Sequence, residues 1–115
     1  MSNSSSSKNR NTEVVEIIAG IEAEMKRISY WSAEPLPVKA YQFHQAFAMD
    51  TMAFSQWLQF ILIPRVHQIL EVKGSFPAES MVGAQAIREF DGDGNANGLV
   101  SLLSKFDDLF TGKRA

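Results

Sequence analysis

The sequence of 115 residues contains no cysteine. This absence excludes disulfide bonds, thiolate metal sites and cysteine nucleophiles together. A domain of about this length buries roughly two-thirds of the surface that its unfolded chain exposes, so ordinary packing stabilises it without cross-links. We therefore expect one domain with one hydrophobic core.

The sequence also lacks a long hydrophobic run. The longest, residues 57–63, is interrupted by Gln59 and falls short of the ~20 residues needed to cross a bilayer. The Ser- and Asn-rich start has no apolar stretch of the kind found in signal peptides. These features predict a cytoplasmic protein with no membrane partner, a disordered tail over residues 1–11, a domain over residues 12–111 and a C-terminal tail over residues 112–115.

Neither sign of charge is in large excess, because 11 basic residues face 13 acidic ones and the formal net charge is −2. Nucleic-acid-binding proteins usually carry a basic stripe that neutralises phosphates. Here the basic residues that group together do so only in pairs: Lys8 with Arg10, Lys26 with Arg27, and Lys113 with Arg114. We expect no strong direct binding to RNA or DNA.

No segment shows the alternating pattern of a β-strand, and the apolar residues recur instead at the three- and four-residue steps of helices. The first helix is expected after Asn11 or Thr12, either of which suits an N-cap. Its apolar residues are Val14, Ile17, Ile18, Ile21, Met25 and Ile28. The predicted fold is all-α, a small single-domain helical bundle of about four helices.

A long loop is predicted after the first helix, because Pro35 and Pro37 favour extended backbone. Its aromatic residues are expected to anchor it by packing against the helices: Trp31, Tyr41, Phe43 and Phe47. Later in the chain, the sequence predicts a short helix opened by Pro77 and a final helix capped by Asn97.

The stretch MDTMAFSQWLQFILIPR, residues 49–65, holds the densest group of apolar residues. A helix that is apolar nearly all round is buried nearly all round. Four of its residues are therefore predicted to be core: Trp57, Leu58, Ile61 and Leu62. Pro64 should kink this helix or begin a second segment, which Gly74 would end.

Metal and catalytic motifs are incomplete. Residues 93–98, DGNANG, match the first half of a calcium-binding EF-hand loop, but Ser104 stands where the bidentate glutamate is required. The same residue types also form tight turns and helix caps. Neither His44 nor His67 has a second ligand at helical spacing. We predict no metal, no cofactor and no catalytic residue, since no nucleophile turn, Walker loop or dinucleotide fingerprint occurs.

Polar residues beside the apolar run leave alternatives open. Asp50 or Thr51 either caps the helix that begins near Phe54, or the two rim a pocket with Arg65. Arg65 either pairs internally, with Asp50 or a backbone carbonyl, or faces an anionic ligand, and we favour the internal pair. The candidate surface for a partner or ligand therefore comprises six residues: Met49, Asp50, Thr51, Met52, Arg65 and His44.

The motifs MDTM, QWLQF and IPR, preceded by YW and EPLP and followed by a Leu- and Phe-rich final helix, resemble the YqcC-like family of small bacterial helical proteins. The resemblance covers residues 14–110 and is most specific over residues 49–65. It implies an all-helical bundle of about four helices, and it carries over no catalytic residue because the family has no assigned biochemical role. In many bacteria related genes lie next to the gene of a tRNA pseudouridine synthase, which implies an accessory role.

Two classes of function follow. The first, which we favour, is a non-catalytic binding or accessory protein, linked to tRNA pseudouridine modification through a tRNA-modifying partner enzyme. The second is a small-ligand-binding or catalytic module with a pocket under residues 31–50, where Asp50, His44 and Arg65 converge. A filled core with Met52 and Phe54 exposed would favour the first class. Homodimerisation through the same surface is compatible with both.

Overall fold

A computed structural model describes residues 10–111 of the chain. These residues form the helices α1 (Arg10–Arg27), α2 (Phe54–Trp57), α3 (Ile63–Glu71), α4 (Val82–Glu89) and α5 (Asn97–Thr111). A π turn, Leu58–Leu62, joins α2 to α3, and 3₁₀ turns occur at Val38–Tyr41, Ala46–Ala48 and Gly94–Ala96. Because α2, the π turn and α3 form one continuous segment, residues 10–111 contain four helical segments and no strand, which confirms the predicted all-α fold of about four helices.

The predicted tails fall largely outside the described residues, which exclude residues 1–9 and 112–115. Arg10 and Asn11, placed in the N-terminal tail by the sequence, already belong to α1. Asn11 and Thr12 lie within the first turn of α1, so the prediction that one of them precedes the helix as its N-cap is wrong.

A left-handed residue that is not glycine lies two positions after the last residue of both α1 and α3. Ser29 has a φ of 66° and Lys73 a φ of 54°. The amide of the next residue then donates to a carbonyl five residues back: Tyr30 to Met25 at 2.7 Å, and Gly74 to Ile69 at 2.9 Å. This is the Schellman pattern, in which glycine usually takes the left-handed position. The sequence predicts Gly74 as the residue that ends α3, but Lys73, one residue earlier, takes the left-handed position.

The described chain forms two compact units, residues 10–21 with 76–111 and residues 22–75. In the first unit α4 packs against α5. Its buried apolar side chains lie at positions of the helical period in α1 and α5, together with three from the segment between: Val14, Ile18, Ile21, Val82, Ala86, Ala96, Leu99, Leu103, Phe106 and Phe110. The apolar period of the sequence therefore predicts which faces of α1 and α5 form this core.

Helices α4 and α5 approach closely at Gly83. A Cβ atom there would lie 2.7 Å from Cα of Ser104 and 2.9 Å from Oδ2 of Asp107. The Gly83 amide donates to Asp107 Oδ2 at 2.8 Å, and the Ser80 hydroxyl donates to Asp107 Oδ1 at 2.6 Å. Asp107 on α5 therefore caps the start of α4. The prediction that Pro77 opens this helix is wrong, because the helix begins where Asp107 satisfies its first amides.

A 3₁₀ turn leads directly into α5. The Asp93 carboxylate accepts a hydrogen bond from the Asn95 amide at 3.1 Å and caps this turn. Asn97 already has helical backbone angles, φ −57° and ψ −43°. The predicted cap at Asn97 is therefore wrong, since Asp93 takes that role at the start of the preceding turn.

The second unit contains the apolar run singled out in the sequence. Its buried apolar residues are Met25, Ala40, Ala48, Met52, Phe54, Trp57, Leu58, Ile61, Leu62, Ile63 and Val66. All four predicted core residues of the run are among them, which confirms that prediction. The rings of Phe54 and Trp57 stack with centroids 5.8 Å apart, so consecutive turns of the helix contribute one continuous aromatic layer.

A π turn precedes Pro64. The amide of Ile63 donates to the carbonyl of Leu58, five residues back. In a regular α-helix the proline ring would clash with the carbonyl of the preceding turn, and the wider turn relieves this clash. The predicted start of a second helical segment at Pro64 is confirmed, since Pro64 lies in the first turn of α3.

Candidate functional site

The Asp50 carboxylate organises the loop before α2. Its Oδ2 atom accepts a hydrogen bond from the His44 amide at 2.9 Å, and its Oδ1 atom accepts one from the Gln45 amide at 3.4 Å. The hydrogen bond from the His44 backbone is the main cause that holds the pKa of Asp50 below its ordinary value. Asp50 is therefore an ionised group at neutral pH, held by backbone donors.

Thr51 joins two turns of the same loop. Its hydroxyl donates to the Ala40 carbonyl at 2.6 Å, which ties the 3₁₀ turn Val38–Tyr41 to the turn that contains Thr51. Neither Asp50 nor Thr51 caps α2, so that alternative is wrong. The residue before α2 is Ala53, whose amide donates to Oε1 of Gln56 at 2.8 Å.

Two consecutive residues of the loop have left-handed backbone, Phe47 with φ 57° and Ala48 with φ 52°. Such angles are unfavourable for residues other than glycine and persist where surrounding contacts fix them. The Phe47 ring packs edge-on against the rings of Trp57 at 5.0 Å and Phe54 at 5.7 Å. The predicted anchoring role of Phe47 is confirmed, whereas Tyr41 is 45% exposed and is not a buried anchor.

Gln59 is an anchor that the sequence reading missed. Its side chain is only 8% exposed and forms two hydrogen bonds with the backbone of Ser32. The Ser32 amide donates to Oε1 at 2.8 Å, and Nε2 donates to the Ser32 carbonyl at 2.9 Å. The sequence feature that indicates this role is a glutamine within an apolar run, because a polar side chain on a buried face requires hydrogen-bond partners.

The exposure of the six candidate residues requires one correction. Met49, Asp50, His44 and Arg65 are exposed and Thr51 is half-buried. Met52 is only 8% exposed, so its predicted place on the surface is wrong, because its side chain packs in the core of the second unit.

The predicted contacts of Arg65 are also corrected. Among residues 10–111, no ion pair joins Asp50 to Arg65, and the carboxylate is occupied by backbone amides instead. The structure thus brings Asp50 and the His44 backbone together and leaves Arg65 out of that arrangement. Phe54, whose exposure would have favoured a binding protein, is 5% exposed and belongs to the core.

A cavity of about 420 Å³ lies where the loop leaves α1 and reaches α2. Its lining includes Tyr30, Trp31 and Gln56, and the ammonium group of Lys26 lies 5.1 Å from the centroid of the Trp31 ring. The three side chains predicted to converge in a pocket under the loop are not part of this lining: His44, Asp50 and Arg65. The convergence expected for a catalytic module is therefore not found in this cavity.

Within residues 10–111, no three His, Asp or Glu side chains lie in an arrangement that could hold a metal ion. None of the helices in this part of the chain combines the length and the apolar character that crossing a bilayer requires.

Comparisons with known proteins identify relatives of this chain. The family described as "tRNA pseudouridine synthase C" matches residues 13–109. A protein of Escherichia coli strain K12 named "Uncharacterized protein YqcC" is 34% identical over 97 residues, which are 81% of this chain and 86% of that protein. The solution NMR structure of YqcC from E. coli has a TM-score of 0.77 with 27% identity, and the match covers 92% of both chains.

Another relative is much longer than this chain. A protein of Pectobacterium carotovorum subsp. carotovorum named "tRNA pseudouridine synthase C" is 28% identical over 68 residues. These residues are 59% of this chain but only 18% of that protein. Together, the matches confirm the resemblance that the motifs MDTM, QWLQF and IPR indicate.

Proposed function

The chain belongs to the YqcC-like family, described as "tRNA pseudouridine synthase C", and on that premise we propose that it is a non-catalytic accessory protein. In this proposal it acts in the cytoplasm by binding a tRNA pseudouridine synthase. The contact is made by the exposed residues of the loop before α2 and by Arg65.

One observation carries the proposal. The Pectobacterium protein named as a tRNA pseudouridine synthase contains a segment that resembles this chain, and the greater part of that protein lies outside the match. Two parts joined in one polypeptide meet at a high effective concentration. A separate chain that resembles one part is expected to bind a partner that supplies the other.

The chemistry of the loop supports binding over acid–base catalysis. A general base works best when its pKa lies near the operating pH. The pKa of Asp50 is shifted the opposite way, below its ordinary value, because the His44 amide stabilises the anion. The Thr51 hydroxyl is likewise occupied by the Ala40 carbonyl. These groups hold the loop in one conformation, which lowers the entropy lost when the loop binds a partner.

Met49 is the apolar anchor of the proposed contact. It is 52% exposed and directly precedes Asp50, whose carboxylate fixes the backbone on its N-terminal side. Methionine adapts its shape to a partner's surface. His44, which lies in the same loop, and Arg65, in the first turn of α3, are both exposed and supply the polar contacts of this proposal.

The test is co-expression of the tagged full chain with the tRNA pseudouridine synthase of the same bacterium. The mass of the purified material is measured by size-exclusion chromatography with light scattering, before and after ribonuclease treatment. We expect a complex of the two proteins that resists ribonuclease. Elution of the chain alone or as a homodimer, or loss of the complex on ribonuclease treatment, would contradict the proposal.

A matched pair of variants locates the contact. Met49→Glu places a charge on the proposed anchor, and Val72→Glu does the same at a residue that is 67% exposed, at the end of α3. We expect Met49→Glu to weaken the complex at least about tenfold, as loss of an interface anchor does. Val72→Glu should bind within about twofold of the wild type. Equal affinities of the two variants would place the contact elsewhere.

A further inference from the structure

An open groove of about 470 Å³ lies along α4 and α5 in the first unit. Three apolar residues line it at steps of three positions, Met81, Ala84 and Ile87. Ala84 and Ile87 therefore share one face of α4, and Met81 is the residue directly before the helix. Met81 is 56% exposed and Ile87 58% exposed. The groove therefore presents an apolar stripe to solvent.

The opposite face of α4 is already occupied. Val82, Gly83 and Ala86 are buried, and the close approach of Gly83 to Ser104 leaves no room for α4 to rotate against α5. The exposed stripe is thus not a poorly packed core face. It remains at the surface because the other face of α4 supplies the residues that this helix buries in the core.

Acidic side chains border the apolar stripe. Glu79, Asp107 and Asp108 line the groove, and none of its lining residues is basic. Asp107 is engaged by the Ser80 hydroxyl and the Gly83 amide. Neither Glu79 nor Asp108 forms an ion pair with any other residue in the range 10–111. Two carboxylates at the edge of the groove are therefore available to a cationic partner.

We propose that this groove binds a positively charged amphipathic helix of a partner protein. The apolar face of such a helix covers Met81, Ala84 and Ile87, and its lysine or arginine side chains pair with Glu79 and Asp108. Helix-in-groove recognition places apolar anchors at three- and four-residue steps, and methionine is common at surfaces that accept such helices. The acidic border repels the phosphates of nucleic acids and anionic lipids.

This proposal goes beyond the accessory function and is tested without the synthase. The probe is a fluorescein-labelled peptide of about 18 residues, or five helical turns, in which leucine and lysine alternate at helical spacing. Binding to the full chain is followed by fluorescence anisotropy. We expect saturable binding that weakens at about 0.5 M salt, where charges are strongly screened. A peptide with glutamate in place of lysine should not bind.

Paired variants assign the binding to the groove. Ile87→Gln is compared with Val15→Gln, which changes a residue that is 51% exposed on α1. Asp108→Lys is compared with Asp91→Lys, which changes an exposed acidic residue outside the groove. Each groove variant should weaken peptide binding at least about fivefold, and each control should stay within about twofold. Urea denaturation of all four variants shows whether they are folded.

Three outcomes of the peptide assay would overturn the proposal. These are no saturable binding of the lysine peptide, equal binding of the glutamate peptide, and equal losses in the groove and control variants. A dimer of the wild-type chain that only the groove variants dissociate would also overturn it, because the occupant would then be a second copy of this chain. Light scattering of the same samples detects that case.

Discussion

Replacing Gly83 with alanine tests the packing of α4 against α5 by adding a single methyl group. In an exposed helix this change is favourable, because alanine has the higher helix propensity by about 1 kcal/mol. At Gly83 the new Cβ atom would lie 2.7 Å from Cα and 2.8 Å from N of Ser104. Both atoms belong to the backbone of α5, so no side-chain rotation can relieve the contact.

The expected cost follows from these distances. Carbon atoms in contact prefer separations of about 3.5–4.0 Å, so the two helices must move apart by roughly 1 Å, at a typical overpacking cost of about 1–3 kcal/mol. The same movement lengthens the hydrogen bond from the Gly83 amide to Asp107, which is now 2.8 Å, and losing a helix cap costs about 1 kcal/mol. The gain in propensity offsets about 1 kcal/mol. The net destabilisation should be about 2 kcal/mol.

The free energy of unfolding is measured by urea denaturation, with Gly20→Ala as the control. A Cβ atom on Gly20 would lie 3.6 Å from the methyl groups of Leu102, an ordinary contact. Gly20→Ala should therefore stabilise the protein by about 0.5–1 kcal/mol. Opposite signs for the two substitutions would support the reasoning. A stabilised Gly83→Ala variant would refute it, since α4 would then have room for a methyl group beside α5.

Two further substitutions test the anchors of the loop in the second unit. Gln59→Ala should destabilise the protein by about 1–3 kcal/mol in urea denaturation, because it leaves the backbone amide and carbonyl of Ser32 without partners. The control is Gln68→Ala, an exposed change on α3, which should cost less than about 0.5 kcal/mol. The pKa of Asp50 is lower in the folded protein than its ordinary value. The ionised carboxylate therefore stabilises the fold at pH values above the ordinary pKa of a carboxyl group. This contribution is lost as the pH falls through the lowered pKa. Asp50→Asn should therefore melt below the wild type at about pH 7, with a difference that closes towards about pH 2. A difference that is constant with pH would contradict this role, and Asp91→Asn, which removes an exposed carboxylate, is the control.

The sequence predicts the helices better than it predicts their ends. Buried positions such as Val14 and Leu103 recur at the helical period, and periodicity is a local property that a single chain displays. The start of α4, by contrast, depends on Asp107, which lies 24 residues from Gly83. A cap supplied from another helix leaves no signature in the sequence beside the helix it caps, and the local sequence therefore favours the nearby Pro77.

The sequence likewise predicts some features of the candidate site and not others. The polar residues Asp50 and Thr51 stood out beside an apolar run, but their hydrogen bonds go to backbone groups of the loop and not to α2 or Arg65. The burial of Met52 was not foreseen, because the path of the loop depends on left-handed backbone at Phe47 and Ala48. Left-handed angles are expected at glycine, and neither residue gives a sequence signal for them.

The π turn between α2 and α3 has a consequence for the ancestry of the chain. A π turn holds one residue more than the α-helical turn it replaces, because each of its residues turns through a smaller angle than the ~100° of an α-helix. Removing one residue from Leu58–Leu62 would therefore restore an α-helical turn, and the stacked rings of Phe54 and Trp57 would keep nearly the same direction relative to α3. The ring of Pro64 would then clash with the carbonyl of the preceding turn. Homologues with a one-residue gap at this point of an alignment should therefore keep the aromatic layer and carry a residue other than proline at position 64.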